Sequence, residues 1–88
     1  MLEKDLLITN KRGLHARAAA KFVEQAGRFD ATIEVTKDDQ TVGGTSIMGL
    51  MMLAAAPGTS IKVATSGAEA EAALAAIEQL VSEKFYED

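Results

Sequence analysis

Residues 31 to 42, Ala31-Thr32-Ile33-Glu34-Val35-Thr36-Lys37-Asp38-Asp39-Gln40-Thr41-Val42, decide the fold. Ile33 and Val35 alternate with Thr32, Glu34 and Thr36, the period of two expected of a strand with one buried face. Asp38-Asp39 supplies a turn and Gln40 to Val42 a short returning strand, so the middle of the chain reads as an antiparallel hairpin. Working outward, Ala19, Phe22, Val23 and Ala26 recur at spacings of three and four, which predicts a helix from about Ala16 to Ala26 stopped by Gly27. Ahead of it lie a short strand, Asp5 to Thr9, and a turn, Asn10 to Gly13.

Beyond the hairpin, Gly43-Gly44 breaks the strand, and Thr45 or Ser46 can cap a short helix over Ile47 to Leu53. Pro57-Gly58 closes that section before a strand at Ser60 to Ser66. A last helix, Ala68 to Lys84, carries the apolar stripe Ala70, Ala73, Leu74, Ile77, Leu80 and Val81. The order β-α-β-β-α-β-α predicts an α+β open-faced β-sandwich: a four-stranded, mostly antiparallel sheet covered on one face by helices.

With 88 residues, the chain is expected to form one small domain over its whole length. It has no cysteine, so packing alone must hold it. The longest apolar run, Ile47 to Ala56, is far short of the roughly 20 residues of a membrane helix. The opening Met1-Leu2-Glu3-Lys4-Asp5 does not read as a signal peptide, so a cytoplasmic protein without membrane insertion is expected. A net charge of -4 argues against a nucleic-acid partner. Gly43-Gly44 lacks the lysine and spacing of a nucleotide-binding loop, and one histidine without cysteine makes a metal site unexpected.

The sole histidine, His15, lies in Gly13-Leu14-His15-Ala16-Arg17-Ala18-Ala19-Ala20-Lys21-Phe22, where strand gives way to helix. An imidazole, with an ordinary pKa of roughly 6.5, is substantially neutral and nucleophilic at cellular pH. A helix start adds free N–H groups and a positive dipole end, both favourable to phosphate. No acidic residue falls between Leu6 and Val23, whereas Lys11, Arg12, Arg17 and Lys21 all do. That basic segment would attract a phosphate or an acidic protein surface.

The Gly13 to Arg17 segment, the second motif Ser46-Ile47-Met48-Gly49-Leu50-Met51-Met52-Leu53, the length and the element order together make the chain resemble the histidine-containing phosphocarrier (HPr) family of the bacterial phosphotransferase system. The resemblance spans essentially all of the chain. It implies that His15 accepts a phosphoryl group on Nδ1 from phosphorylated enzyme I and passes it to an enzyme IIA component, as a carrier between enzymes that needs no cofactor. It further implies Arg17 as the guanidinium that steadies the phosphoryl oxygens. Ala18 stands where many of the family have proline, which restores a backbone N–H in the first helical turn.

Ser46 reads both as a helix cap and, by the same resemblance, as the target of an ATP-dependent HPr kinase/phosphorylase. Helical geometry turns Leu50 and Leu53 inward and leaves Ile47, Met48 and Met51 as an apolar patch. With Lys21, these match the place where the family docks enzyme I and enzyme IIA, and polarizable methionines suit a monomer that meets several partners in turn. Two other readings stand beside this one: a ligand-binding α+β domain in which His15 is incidental, and a small phosphate hydrolase using Arg17 and Asn10. Neither accounts for the second motif.

Overall fold

The computed structural model describes residues 1–86. Its elements are β1 (Leu2–Leu7), α1 (Ala16–Ala26), β2 (Thr32–Lys37), β3 (Gln40–Gly43), α2 (Ile47–Met52), β4 (Ser60–Ser66) and α3 (Ala70–Ser82), followed by a short 3-10 segment, Lys84–Tyr86. The four strands form one sheet in the order β1-β4-β2-β3. Every pairing is antiparallel, so the sheet expected to be mostly antiparallel is wholly so. The α+β open-faced architecture is as the patterning indicated.

Register follows burial. Leu6 pairs with Ile61, and Val63 lies between Lys4 on one side and Val35 on the other. Ile33, Val35, Ile61 and Val63 therefore face one side of the sheet, where Phe22 and Ala26 of α1 and Ala73, Ile77 and Leu80 of α3 cover them to form the core. Phe22, Ile61, Ile77 and Val63 are fully buried, and full burial of such side chains contributes roughly 1.5–3 kcal/mol each. Thr65, also on that face, is satisfied by donating its hydroxyl to the Ala70 carbonyl at 2.8 Å.

Several boundaries differ from the sequence reading, the smallest being α2, which ends at Met52 rather than Leu53. β1 runs from Leu2 to Leu7 rather than from Asp5 to Thr9, because pairing with β4 carries it from Leu2 opposite Thr65 to Leu7 opposite Ser60. It is an edge strand, so Glu3, Lys4 and Asp5 can stay solvated within it; Lys4 meets Glu78 of α3 at 2.5 Å. Ile8 leaves the ladder but keeps its bonds, donating to Thr59 O and accepting from Gly58 N, both at 2.8 Å. β3 reaches Gly43, and Gly44 then donates to Ile33 O at 2.7 Å.

The last helix starts at Ala70, not Ala68, and stops at Ser82, because Lys84, Phe85 and Tyr86 take left-handed φ values of 57°, 56° and 59°. Such backbone is costly for residues with a Cβ and needs tertiary support. Burial of the Phe85 ring supplies part of it. The rest comes from Lys21 of α1, whose ammonium donates to Phe85 O at 2.6 Å and lies 5.9 Å from the Tyr86 ring centre. No helix among the described residues is long and apolar enough to cross a membrane.

Candidate functional site

His15 is the N-cap of α1, with extended backbone (φ -78°, ψ -179°). Its carbonyl accepts from Ala19 N at 2.8 Å, and its ring Nδ1 accepts from Ala18 N at 3.2 Å. A neutral ring that accepts at Nδ1 keeps its lone pair there and its proton on Nε2. The nitrogen facing the helix start is thus the one able to attack phosphorus. The residue is only half-buried, so a phosphorylated donor can reach it.

Two loops hold this cap in place. Asn10 is buried and donates its side-chain amide to Gly13 O at 2.8 Å, while Gly13 N donates to Asn10 O at 3.3 Å. Leu14 N then donates to Ala55 O at 3.0 Å, and the Leu14 side chain enters the core. The junction is tight. Gly13 has φ +63°, and a Cβ there would lie 2.1 Å from Ala55 O. Asn10, which one reading made a hydrolytic residue, is instead committed to shaping the turn that presents His15.

Beside His15 is an open hollow of about 230 Å³ lined by Arg12, Leu14, Ala54, Ala55, Ala56 and Pro57. Arg12 is therefore a site residue that the sequence marked only as a member of the basic cluster. Arg17 is exposed in the first turn of α1, two residues after His15. Lys21 is one turn further along and is tied to the C-terminal turn rather than to the imidazole. Among the described residues, Phe85 and Tyr86 pack at Lys21 of α1, whereas Glu87 and Asp88 lie outside the described residues.

Of the two possible caps for α2, Ser46 is the one used. Its backbone is extended (φ -111°, ψ 107°), and its Oγ accepts from Gly49 N at 3.0 Å. The hydroxyl is nonetheless exposed. α2 buries Leu50, with Leu53 behind it, and presents Ile47 (40% exposed), Met48 (69%), Met51 (39%) and Met52 (67%). Those values add Met52 to the three residues read from the sequence. Its signal was available, because Met48 and Met52 are one helical turn apart. α1 and α2 pack together, so the apolar patch and His15 belong to neighbouring helices.

Comparison with known proteins matches residues 2–83 to the family model described as "PTS HPr component phosphorylation site". The phosphocarrier protein HPr of Neisseria meningitidis serogroup B is 49% identical over 87 residues, covering 99% of this chain and 98% of that protein. The crystal structure of HPr-C-His from Thermoanaerobacter tengcongensis superposes with a TM-score of 0.95 at 42% identity, covering 100% of this chain and 99% of that one. A structure described as an HPr dimer from the same organism gives a TM-score of 0.79 at 42% identity, covering 99% and 100%.

Proposed function

The chain belongs to the HPr phosphocarrier family, and from that premise we propose that it relays a phosphoryl group on His15 Nδ1 from phosphorylated enzyme I to enzyme IIA components. The observation that carries the reading is the placement of a half-exposed imidazole at the start of α1, its Nδ1 turned to the helix amides, beside an exposed apolar patch on α2. In the transfer, the Nδ1 lone pair attacks phosphorus, the bond from phosphorus to the donor breaks, and Nε2 keeps its proton. No cofactor takes part, since the phosphoryl group arrives on the donor. Nor is there a turnover of substrate by this chain alone, so it acts as a carrier rather than as a self-sufficient enzyme.

The free N–H groups at the start of α1 lower the energy of the bound phosphoryl group, and Arg17 adds a planar charged fork. The group must still leave, so its contacts have to be few and solvated. Ile47, Met48, Met51 and Met52 give the partners an apolar docking surface whose interaction is transient. Lys21, one turn beyond Arg17 on α1, offers an acidic partner a further positive charge from beside the C-terminal turn it holds. On this proposal the protein works as a cytoplasmic monomer, because acceptor, fork and patch all lie on one copy. Ser46 serves a second purpose: phosphate added by an HPr kinase/phosphorylase would sit favourably at a helix start and place charge beside the patch, weakening docking without unfolding α2.

Incubating the purified protein with enzyme I and radiolabelled phosphoenolpyruvate tests the proposal. An acid-labile label on the chain is expected, and no label would end this reading. Two variants separate the parts. Arg17→Ala should slow phosphoryl transfer by about 10- to 100-fold, the worth of a charge-assisted hydrogen bond, with the KM for enzyme I unchanged. Met48→Asp should do the reverse, raising that KM by about 10-fold or more while sparing the maximal rate. Interchanged effects in steady-state kinetics would reverse the two assignments.

A further inference from the structure

We propose that the backbone N–H of Ala18 is a positioning donor that locks His15 in the tautomer competent for attack, an inference that rests on the phosphocarrier reading only for its purpose. The amide at the third position of a helix has no carbonyl partner within the helix. Here it donates to His15 Nδ1 at 3.2 Å. The donor is held in place by packing, because the Ala18 side chain is fully buried and the next amide, that of Ala19, is bonded to His15 O at 2.8 Å. The ring is held through its own backbone, which is extended as the N-cap, and through Leu14, whose N–H bonds Ala55 O.

The bond has a chemical consequence beyond capping. A neutral imidazole can place its proton on either nitrogen, and only the form with a bare Nδ1 can accept from Ala18. The tautomer with Nδ1 protonated would set N–H against N–H and has no lone pair for phosphorus at that nitrogen. The amide therefore enriches the attacking form and fixes the ring plane before any partner arrives. When Nδ1 takes the phosphoryl group, the lone pair passes into the new N–P bond and the donor's bond to phosphorus breaks. The lock must then open, leaving the Ala18 N–H beside the incoming oxygens. A residue without an N–H at position 18 cannot act in this way.

The test is nitrogen NMR of the imidazole in the unphosphorylated protein at a pH where the ring is neutral. Two variants are compared with the parent: Ala18→Pro, which the first helical turn tolerates, and a semisynthetic chain in which lactic acid replaces Ala18, turning the amide into an ester with the same side chain. The ratio of the Nε2–H to the Nδ1–H tautomer is expected to fall about 5-fold in the ester chain, the factor that one net hydrogen bond supplies, and to move the same way in Ala18→Pro. If Ala18→Pro does not fold, the ester chain decides. An unchanged ratio in the folded ester chain would overturn the lock, because an amide bond to Nδ1 of any weight must favour the tautomer that can accept it. A parent protein that shows the shift but takes no label from phosphorylated enzyme I would instead overturn the phosphocarrier reading and leave the lock standing.

Discussion

A His15→Ala protein folds but takes up no acid-labile phosphate from phosphorylated enzyme I. The acceptor is the only imidazole in the chain and the chain has no cysteine, so neither a second phosphohistidine nor a thiophosphate can form in its place, while lysine and arginine are ordinarily protonated at neutral pH and offer no lone pair to phosphorus. The fold survives because His15 contributes to stability chiefly as a cap, through the bonds of its Nδ1 and carbonyl to Ala18 and Ala19. Loss of a cap side chain costs about 1 kcal/mol. In a domain of this size that lowers the melting temperature by roughly 4–8 °C. His15→Asn separates the two roles: asparagine restores the cap and the melting temperature, yet the labelling assay still reads zero. Label persisting on either variant would remove His15 as the acceptor.

What could be read from the sequence depended on whether a residue's neighbours in space were also its neighbours in sequence. The hairpin of β2 and β3, α1 and a hydroxyl cap at Thr45 or Ser46 were legible because alternation, helical spacing and a hydroxyl just ahead of a helix are all local signals, and the structure settles the cap as Ser46. β1 was misplaced because Glu3-Lys4-Asp5 shows no apolar alternation, and its place is set by pairing with β4 nearly sixty residues away. The end of α3 was missed for a related reason. Nothing in Lys84-Phe85-Tyr86 announces left-handed backbone, and the contact that supports it comes from Lys21. His15 itself stood out as the sole imidazole at a helix start. Its setting did not, since the dependence of the His15 loop on Ala55, and the hollow beside Arg12, exist only once the Asn10–Leu14 and Ala54–Pro57 loops are together.

That dependence gives the largest expected loss of stability from a single added methyl group. Gly13→Ala should lower the melting temperature by on the order of 10–30 °C, from two causes that add. Alanine at φ +63° costs about 1–2 kcal/mol relative to its usual conformations. The second cause is steric: the new Cβ would lie 2.1 Å from Ala55 O and 3.1 Å from both Ala55 C and Ala56 Cα, all backbone atoms that cannot swing aside as a flexible side chain would. Relief requires the two loops to part, which breaks the bond from Leu14 N to Ala55 O and lifts Leu14 from the core. A total of about 2–4 kcal/mol follows, at the upper end of what single substitutions do. The same displacement moves His15 while leaving its imidazole chemically intact, so phosphoryl acceptance at a temperature where the variant is still folded should fall with it. Ala20→Gly, at an exposed position in α1, provides the contrast: it should cost only about 1 kcal/mol of helix propensity and leave acceptance near its original rate. A Gly13→Ala protein that melts within a few degrees of the parent and accepts phosphate at the same rate would show that the Gly13–Ala55 junction does not position the site.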